Sequence, residues 1–215
     1  MNNETFPSKQ YLDLIKHYQT MHKEGLQSKT PEESYNGYAT MVFADFIKII
    51  IEKNNCKTLL DYGSGKGDRY FKESIFIGKK YPPLKSFWNI QPTLFDPGVP
   101  HPKPINKKFD IVISIDVLEH IPIKDLDWVI KEIFNFSKKI VLFNIACYPS
   151  VAKLPDGNNA HVSVYPPLWW AGFITNIAIN LNSKFLLVCT HREKDKNKDQ
   201  YFQYGFNDKF ENYKS

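Results

Sequence analysis

A run of glycines follows an acidic residue in the stretch DYGSGKG, where Asp61 precedes Gly63, Gly65 and Gly67. Glycine adopts backbone conformations that other residues avoid, and ordering it costs extra conformational entropy. The apolar residues 58–60 come directly before this stretch, so we predict a sharp turn from the end of a strand into a helix. At such a turn, the unpaired N–H groups of the helix start and the bare glycine backbone favour the binding of an anionic ligand.

The spacing excludes two common nucleotide-phosphate motifs. The Walker A loop GxxxxGK[ST] does not continue from Gly63, and the dinucleotide fingerprint GxGxxG requires a glycine where Asp68 stands. A second acidic residue, Asp96, follows the next predicted strand. A carboxylate at that position binds ribose hydroxyls in dinucleotide folds. The glycines and the two acidic residues therefore remain as the candidate ligand-binding groups.

The elements that position these residues alternate between strands and helices. The continuous apolar run FDIVISI at residues 109–115 is typical of a strand buried on both faces of a parallel sheet. Apolar residues at helical spacing predict N-terminal helices over residues 8–24 and 30–53, with an interruption left open at residues 35–38. The other predicted strands cover residues 57–62, 92–95, 140–146, 184–190 and 200–206, and the other predicted helices cover residues 68–80, 124–136 and 166–180.

This alternation predicts an α/β fold with a Rossmann-like, doubly wound, mostly parallel sheet of about seven strands that ends in an antiparallel hairpin. We expect a single domain over residues 1–215, with an N-terminal helical cap (residues 1–53) and a Rossmann-like core (residues 54–215). The irregular stretch at residues 147–165 is longer than most loops in a compact domain. Such a length is typical of a lid or a binding loop.

The composition disfavours several classes of partner. No run approaches the roughly 20 apolar residues of a membrane helix, and the N-terminus lacks the apolar segment of a signal peptide. We therefore expect a cytoplasmic protein with no membrane partner. Only Arg69 and Arg192 are arginines among the 28 basic residues, which disfavours nucleic acid as a partner. The cysteines and histidines show no metal-ligand spacing, so the sequence predicts no metal.

Three motifs, in the right order, resemble those of the class I S-adenosylmethionine (SAM) methyltransferases. The pattern DxGxGxG from Asp61 to Gly67 is similar to motif I of that family, and Asp96 matches its acidic ribose-binding position. The stretch FDIVISIDVLEHIP at residues 109–122 resembles its fourth-strand motif. The resemblance covers residues 57–146.

Outlying stretches extend this resemblance. The predicted terminal hairpin resembles the sixth and seventh strands of the family, and LPDGNNAH at residues 154–161 is similar to methyltransferases encoded by bacteriophages. The family's third strand is expected within HPKPINKK at residues 101–108. The residue that holds the adenine ring follows that strand in the family, and this sequence does not identify it.

The resemblance implies that the protein binds SAM and releases S-adenosylhomocysteine (SAH). It implies that the loop from Gly63 to Gly67 wraps the methionine part of SAM, that Asp61 anchors its amino group, and that Asp96 binds its ribose hydroxyls. N-terminal helices often close over the cofactor in this family, so Tyr35 is expected to contact it. The predicted cofactor-binding residues are Asp61, Gly63, Ser64, Gly65, Lys66, Gly67, Asp96, Pro97, Ile115, Asp116, Val117, Leu118 and Tyr35.

Two histidines are candidate catalytic bases. His161 lies in the long polar loop, and His120 ends the DVLEH part of the fourth-strand motif. A histidine titrates near neutral pH and takes up protons readily. For His161 the alternative is a surface position, and for His120 it is a packed structural role.

The resulting hypothesis is methyl transfer from SAM to an O or N atom of a small molecule or of a sugar or lipid precursor. No Asp/Asn-Pro-Pro-Tyr/Phe element follows the strand at residues 109–115, and by resemblance this disfavours the bases of DNA as acceptors. Three alternatives remain: an RNA or protein methyltransferase, a non-catalytic subunit with the SAM fold, and an enzyme that cleaves SAM or uses it as an aminopropyl or carboxypropyl donor. The retained glycines and acidic residues favour the enzyme over the non-catalytic subunit.

Overall fold

A six-stranded, mostly parallel sheet forms the centre of the fold. The computed structural model describes residues 6–26, 29–99, 105–192 and 199–213. The strands are β1 (Thr58–Tyr62), β2 (Ser74–Phe76), β3 (Lys79–Tyr81), β4 (Gln91–Phe95), β5 (Phe109–Ile115), β6 (Ser137–Ala146), β7 (Phe185–Arg192) and β8 (Asp199–Phe206). The helices are α1 (Lys9–Glu24), α2 (Tyr38–Val42), α3 (Ala44–Lys53), α4 (Leu84–Phe87), α5 (Ile123–Phe136) and α6 (Pro167–Leu181).

The strand order in the sheet is β4-β1-β5-β6-β7-β8. Neighbouring strands are parallel from β4 to β7, and β8 pairs antiparallel with β7 at the sheet edge. Because β4 and β5 lie on opposite sides of β1, the strand order reverses between β1 and β5. In open α/β sheets, ligands bind in the crevice at the carboxyl ends of the strands beside such a reversal.

The prediction of about seven strands is corrected to six in the main sheet. The seventh was expected within residues 101–108. Residues 105–108 form no strand, and residues 101–104 lie outside the described part of the chain. The antiparallel hairpin at the end of the chain is confirmed.

Two apolar layers cover the two faces of the sheet. Side chains alternate along a strand, so Val112 packs on the face covered by α5 and α6, whereas Ile111 and Ile113 pack on the face covered by α3 and α4. All three side chains are fully buried. The apolar run of β5 therefore reflects burial on both faces, as its sequence predicts.

The helix predicted over residues 68–80 is wrong. The turn that contains Gly63, Gly65 and Gly67, called the glycine turn below, leads into a single 3₁₀ turn at Asp68–Tyr70. A hairpin of β2 and β3 follows. Ile77 and Gly78 both have positive φ angles, at the tip of this hairpin, and two such residues in sequence suit a tight hairpin turn. No long helix therefore begins at the glycine turn, and the expected binding of an anion by the N–H groups of a helix start has no structural basis there.

The helix predicted over residues 30–53 is interrupted. Tyr35 and Gly37 have positive φ angles, so regular helix begins only with α2 and continues in α3. Thr30 and Glu33 exchange capping hydrogen bonds, with Thr30 N–H 3.0 Å from the Glu33 carboxylate, but these bonds close an isolated turn. The stretch at residues 81–92 contains the one-turn helix α4.

Helix α1, confirmed with Ser8 as its N-cap, is attached to α5 by a buried carboxylate. Asp125 accepts hydrogen bonds from the Ser8 N–H at 2.8 Å, the Ser8 hydroxyl at 2.5 Å and the indole N–H of Trp128 at 2.8 Å. Tyr11 of α1 packs in the same apolar layer as α5. These contacts fix α1 beside the carboxyl ends of the central strands.

All three cysteines, Cys56, Cys147 and Cys189, are buried free thiols. Within the described residues, no helix combines the length and the apolar character needed to cross a membrane.

Candidate functional site

A cleft of about 700 Å³ opens at the carboxyl ends of β1, β4 and β5, beneath α1 and the segment that precedes α2. This volume lies within the roughly 300–1,000 Å³ that is usual for small-molecule sites. The cleft brings together both predicted bases and most of the predicted cofactor residues. Those that line it are Gly63, Ser64, Gly65, Asp96, Pro97, Ile115, Asp116, Val117, Tyr35, His120 and His161.

The glycines of the first turn are required by contacts within the protein. All three have positive φ angles. A Cβ atom on Gly63 would lie 2.3 Å from Val117 Cγ2, one on Gly65 would lie 2.3 Å from the Tyr35 carbonyl oxygen, and one on Gly67 would lie 2.2 Å from a Leu94 methyl. The turn was predicted to expose bare backbone to a ligand. Instead, neighbouring segments pack against it, and only Gly63 and Gly65 also face the cleft.

Asp96 ties the glycine turn to the end of β4. Its Oδ2 accepts the N–H of Gly65 at 2.8 Å, and its Oδ1 accepts the N–H of Gly98 at 2.7 Å. A carboxylate oxygen has two lone pairs. Each oxygen can therefore accept a further hydrogen bond from a group in the cleft.

The segment around Tyr35 covers the glycine turn. The Tyr35 carbonyl accepts the Lys66 N–H at 2.8 Å, and the Lys66 ammonium bonds to the Pro31 carbonyl. The Tyr35 ring stacks on His22 of α1, with ring centroids 4.4 Å apart. His22 lines the cleft, and its Nδ1 is buried without a hydrogen-bond partner among the described residues. Sequence reasoning missed His22, because nothing in the α1 sequence distinguishes it from a packing residue.

Four predicted cofactor residues do not line the cleft. Asp61 is 1% exposed and accepts a 2.8 Å hydrogen bond from the Tyr70 hydroxyl. Leu118 is fully buried in the core, Gly67 packs on Leu94, and Lys66 holds the segment around Tyr35. In this structure, Asp61 therefore supports the glycine turn from beneath.

Burial gives Asp61 an unusual titration, which leads to a prediction about stability. Burial raises the pKa of its carboxyl from 3.8 to about 7, although the Tyr70 hydrogen bond opposes this shift. The folded protein then holds a proton that the unfolded chain releases, so stability is lost as pH rises from about 4 to 7. Because one pKa unit corresponds to about 1.4 kcal/mol, we expect wild type to lose about 2–4 kcal/mol of unfolding free energy relative to Asp61→Asn.

Urea unfolding of both proteins at pH 4.5, 6 and 8 measures this difference. The asparagine has the same size as Asp61 and keeps an oxygen that accepts the hydrogen bond of the Tyr70 hydroxyl. The titration of all other groups should therefore be the same in the two proteins and cancel in the comparison. Parallel pH profiles would contradict the raised pKa of Asp61.

His120 and His161 meet at one wall of the cleft, beside Asp116. The two rings are nearly perpendicular, with centroids 4.7 Å apart. His161 Nδ1 lies 2.6 Å from the Tyr148 carbonyl, and His120 Nδ1 lies 2.9 Å from the Ala160 carbonyl. Because a carbonyl oxygen can only accept, both Nδ1 atoms carry the proton and both Nε2 atoms keep a lone pair.

The electrostatic surroundings keep His120 neutral. Burial is the largest effect and lowers the pKa of His120 to about 4, against the opposing charge of Asp116. The neighbouring His161 lowers it further. Sequence reasoning also missed Tyr18, whose hydroxyl lies 2.8 Å from His120 Nδ1 and donates to the Ala160 carbonyl.

The long loop at residues 147–165 is held against the turn after β5 by hydrogen bonds of Ser163. The Ser163 N–H donates to the Glu119 carbonyl at 2.9 Å, and the Glu119 side chain accepts the N–H of Ala146, the last residue of β6, at 2.6 Å. The Ser163 hydroxyl donates to the Ile121 carbonyl at 2.6 Å. These bonds bring His161 to His120. The prediction that this loop contributes to a binding site agrees with its position along the cleft.

Comparison with known proteins leaves the chain without an assigned family. No protein-family model matches it, and no curated protein matches it significantly. The resemblance of its strand-end motifs to class I SAM methyltransferases therefore remains a prediction from short stretches of sequence.

Proposed function

We propose that the protein is a SAM-dependent methyltransferase that acts on an O or N atom of a small molecule or of a sugar or lipid precursor. One observation carries this proposal. The three strand ends that bear the methyltransferase-like motifs line a single cleft, at Gly63 and Gly65, at Asp96, and at residues 115–117. Parallel strands bring their carboxyl ends to one edge of the sheet, and ligands of open α/β sheets bind at that edge, so the three motifs lie where a cofactor would bind.

The residues of the cleft fit SAM. Asp96 has unused lone pairs for the two ribose hydroxyls, and Gly63 and Gly65 form the wall for the methionine part. The unpartnered Nδ1 of His22 offers a hydrogen bond that a bound ligand would complete. An unpaired buried polar atom is costly, which supports a polar ligand beside His22.

Bound SAM would supply a methyl group that its positively charged sulfur already activates for transfer. The protein then has to hold the acceptor in line with that methyl group and exclude water, and such positioning contributes much of the rate of two-substrate reactions. The aromatic rings of Tyr18, Tyr35 and Tyr148 line the cleft, and aromatic faces attract a cation. His161 and His120, with Nε2 lone pairs, would take up the proton of the acceptor.

Calorimetric titration of the wild-type protein with SAH, SAM, NAD and ATP tests the cofactor. We expect SAH and SAM to bind with micromolar dissociation constants, and NAD and ATP to produce no heat of binding, because the chain lacks both nucleotide-phosphate motifs. Binding of NAD or ATP with similar affinity would contradict the proposal. So would the absence of binding by all four ligands.

A further inference from the structure

We propose that Asp116, His120 and His161 bind one divalent first-row transition-metal ion in the wall of the cleft. One ring nitrogen of each histidine and a carboxylate oxygen of Asp116 all lie within 4.8 Å of one another. The metal site does not depend on the methyl-transfer proposal. It goes beyond that proposal because SAM-dependent transfer as described above needs no metal.

The distances suit coordination after small side-chain rotations. Bonds from a metal ion to imidazole nitrogen or carboxylate oxygen are about 2.0–2.2 Å long, so two ligands of a tetrahedral ion lie about 3.3–3.6 Å apart. The three groups therefore need to approach one another by up to about 1.5 Å. The side chain of Asp116 is exposed to the cleft and His161 is buried beneath it, so the site would be open on one side only.

The histidines have the outer hydrogen bonds that metal ligands need. A metal-binding histidine donates its second ring N–H to a carboxylate or a backbone carbonyl, which fixes the ring and the tautomer. His161 donates from Nδ1 to the Tyr148 carbonyl, and His120 donates from Nδ1 to the Ala160 carbonyl. Both rings are thus held with Nε2 available to an ion.

The carboxylate of Asp116 has no counter-ion within the described part of the chain. No salt bridge to Asp116 exists there. Its neighbour Glu119 is fully buried, and the Glu119 side chain accepts the Ala146 N–H. A cation bound by Asp116 would supply the missing counter-ion.

The backbone of Asp116 is also unusual. Its φ angle is +59°, in the left-handed region that non-glycine residues seldom adopt and that is frequent at functional sites. The main chain is held there by a 3.1 Å hydrogen bond from the Asp116 N–H to the Asn144 carbonyl. This conformation directs the chain from β5 into the turn that carries His120.

The ligand types select the class of ion. Imidazole favours Zn²⁺, Co²⁺ and Fe²⁺ over Mg²⁺, Ca²⁺ and Mn²⁺, which prefer oxygen ligands. Three protein ligands leave further coordination positions, which would face the cleft. There the ion would bind an oxygen of a ligand in the cleft and make a bound hydroxyl more acidic. Because the ion would occupy the Nε2 lone pairs of His120 and His161, it would replace these two histidines as the group that promotes loss of the proton. The prediction of no metal relied on spacing in the sequence, whereas these ligands come from a strand end, a turn and a distant loop.

Metal titration of the full-length, tag-free, chelator-treated protein tests the site. We expect calorimetry to give one Co²⁺ ion per chain in wild type, and the visible absorption of Co²⁺ to report nitrogen ligation. His161→Ala and Asp116→Asn should each weaken Co²⁺ binding by at least about 100-fold. The matched control is His17→Ala, which removes a histidine of α1 that lies outside the cleft, with its Nε2 3.5 Å from the Asp156 carboxylate. This variant should bind Co²⁺ like wild type.

Several results would overturn the metal site. These are no Co²⁺ binding by wild type at millimolar concentration, equal Co²⁺ affinity in His161→Ala and His17→Ala, or Mg²⁺ binding as tight as that of Co²⁺. Thermal unfolding without metal shows whether each variant is folded. Co²⁺ should then raise the melting temperature of wild type and His17→Ala but not that of His161→Ala. A separate SAH titration without metal distinguishes the two proposals: SAH binding without Co²⁺ binding overturns only the metal site, and the reverse result overturns only the methyltransferase.

Discussion

Replacing Gly65 by alanine is expected to abolish measurable SAH binding and to lower the free energy of unfolding by about 2–5 kcal/mol. The new Cβ would lie 2.3 Å from the Tyr35 carbonyl oxygen and 3.2 Å from the Tyr35 Cβ, in a backbone conformation with φ of +57°. The segment around Tyr35 must then move off the glycine turn. This movement breaks the Lys66–Tyr35 hydrogen bond and deforms the wall of the cleft.

Gly78→Ala is the matched control for backbone strain. Gly78 also has a positive φ angle, +75°, but no atom lies within 4 Å of its added Cβ, and it belongs to the β2–β3 hairpin away from the cleft. We expect this variant to lose only about 1–2 kcal/mol of unfolding free energy and to bind SAH like wild type. Calorimetry and urea unfolding measure both effects. Equal SAH affinities and equal losses of unfolding free energy in the two variants would show that the contact between residue 65 and Tyr35 determines neither SAH binding nor stability.

The central strands of the sheet were predictable because they are buried on both faces. A continuous apolar run such as FDIVISI would expose apolar side chains on both faces if it lay at the surface, so it is expected inside the sheet. The strand β5 spans the same seven residues, 109–115, that the sequence predicts. The helix predicted over residues 68–80 failed for a different reason. Its apolar residues are compatible with several structures, and the helical prediction overlooked Gly78, which forms an exposed tight turn together with Ile77 through positive φ angles.

The cleft was only partly predictable. Parallel strands bring their carboxyl ends to one edge of the sheet, so the sequence could place the glycine turn, Asp96 and Asp116 together. It could not show that Asp61 points beneath the turn, because that orientation depends on the buried hydroxyl of Tyr70. Nor could it pair His120 with His161, since the long loop is positioned by single hydrogen bonds to Glu119 and its neighbours.

Replacing Asp96 by alanine is expected to weaken SAH binding by at least about 100-fold, which corresponds to about 3 kcal/mol. Hydrogen bonds to a charged group contribute about 1.5–3 kcal/mol each, and the variant loses the acceptors for two ribose hydroxyls. It also leaves the N–H groups of Gly65 and Gly98 without their partner. The glycine turn then loses its hydrogen bond to the end of β4. The variant is therefore expected to lose stability as well as its direct contacts with the ribose.

Asp110→Ala separates these two effects. Asp110 lies at the amino end of β5, outside the cleft, and its carboxylate likewise accepts two backbone N–H groups, those of Lys57 at 2.8 Å and Thr58 at 3.1 Å. Both alanine variants should therefore lose similar unfolding free energy in urea, while only Asp96→Ala loses SAH affinity in calorimetry. If Asp110→Ala weakened SAH binding as much, general destabilisation would explain the loss, and Asp96 would have no direct contact with the ribose. If neither variant changed the SAH affinity, the ribose position at the end of β4 would be wrong.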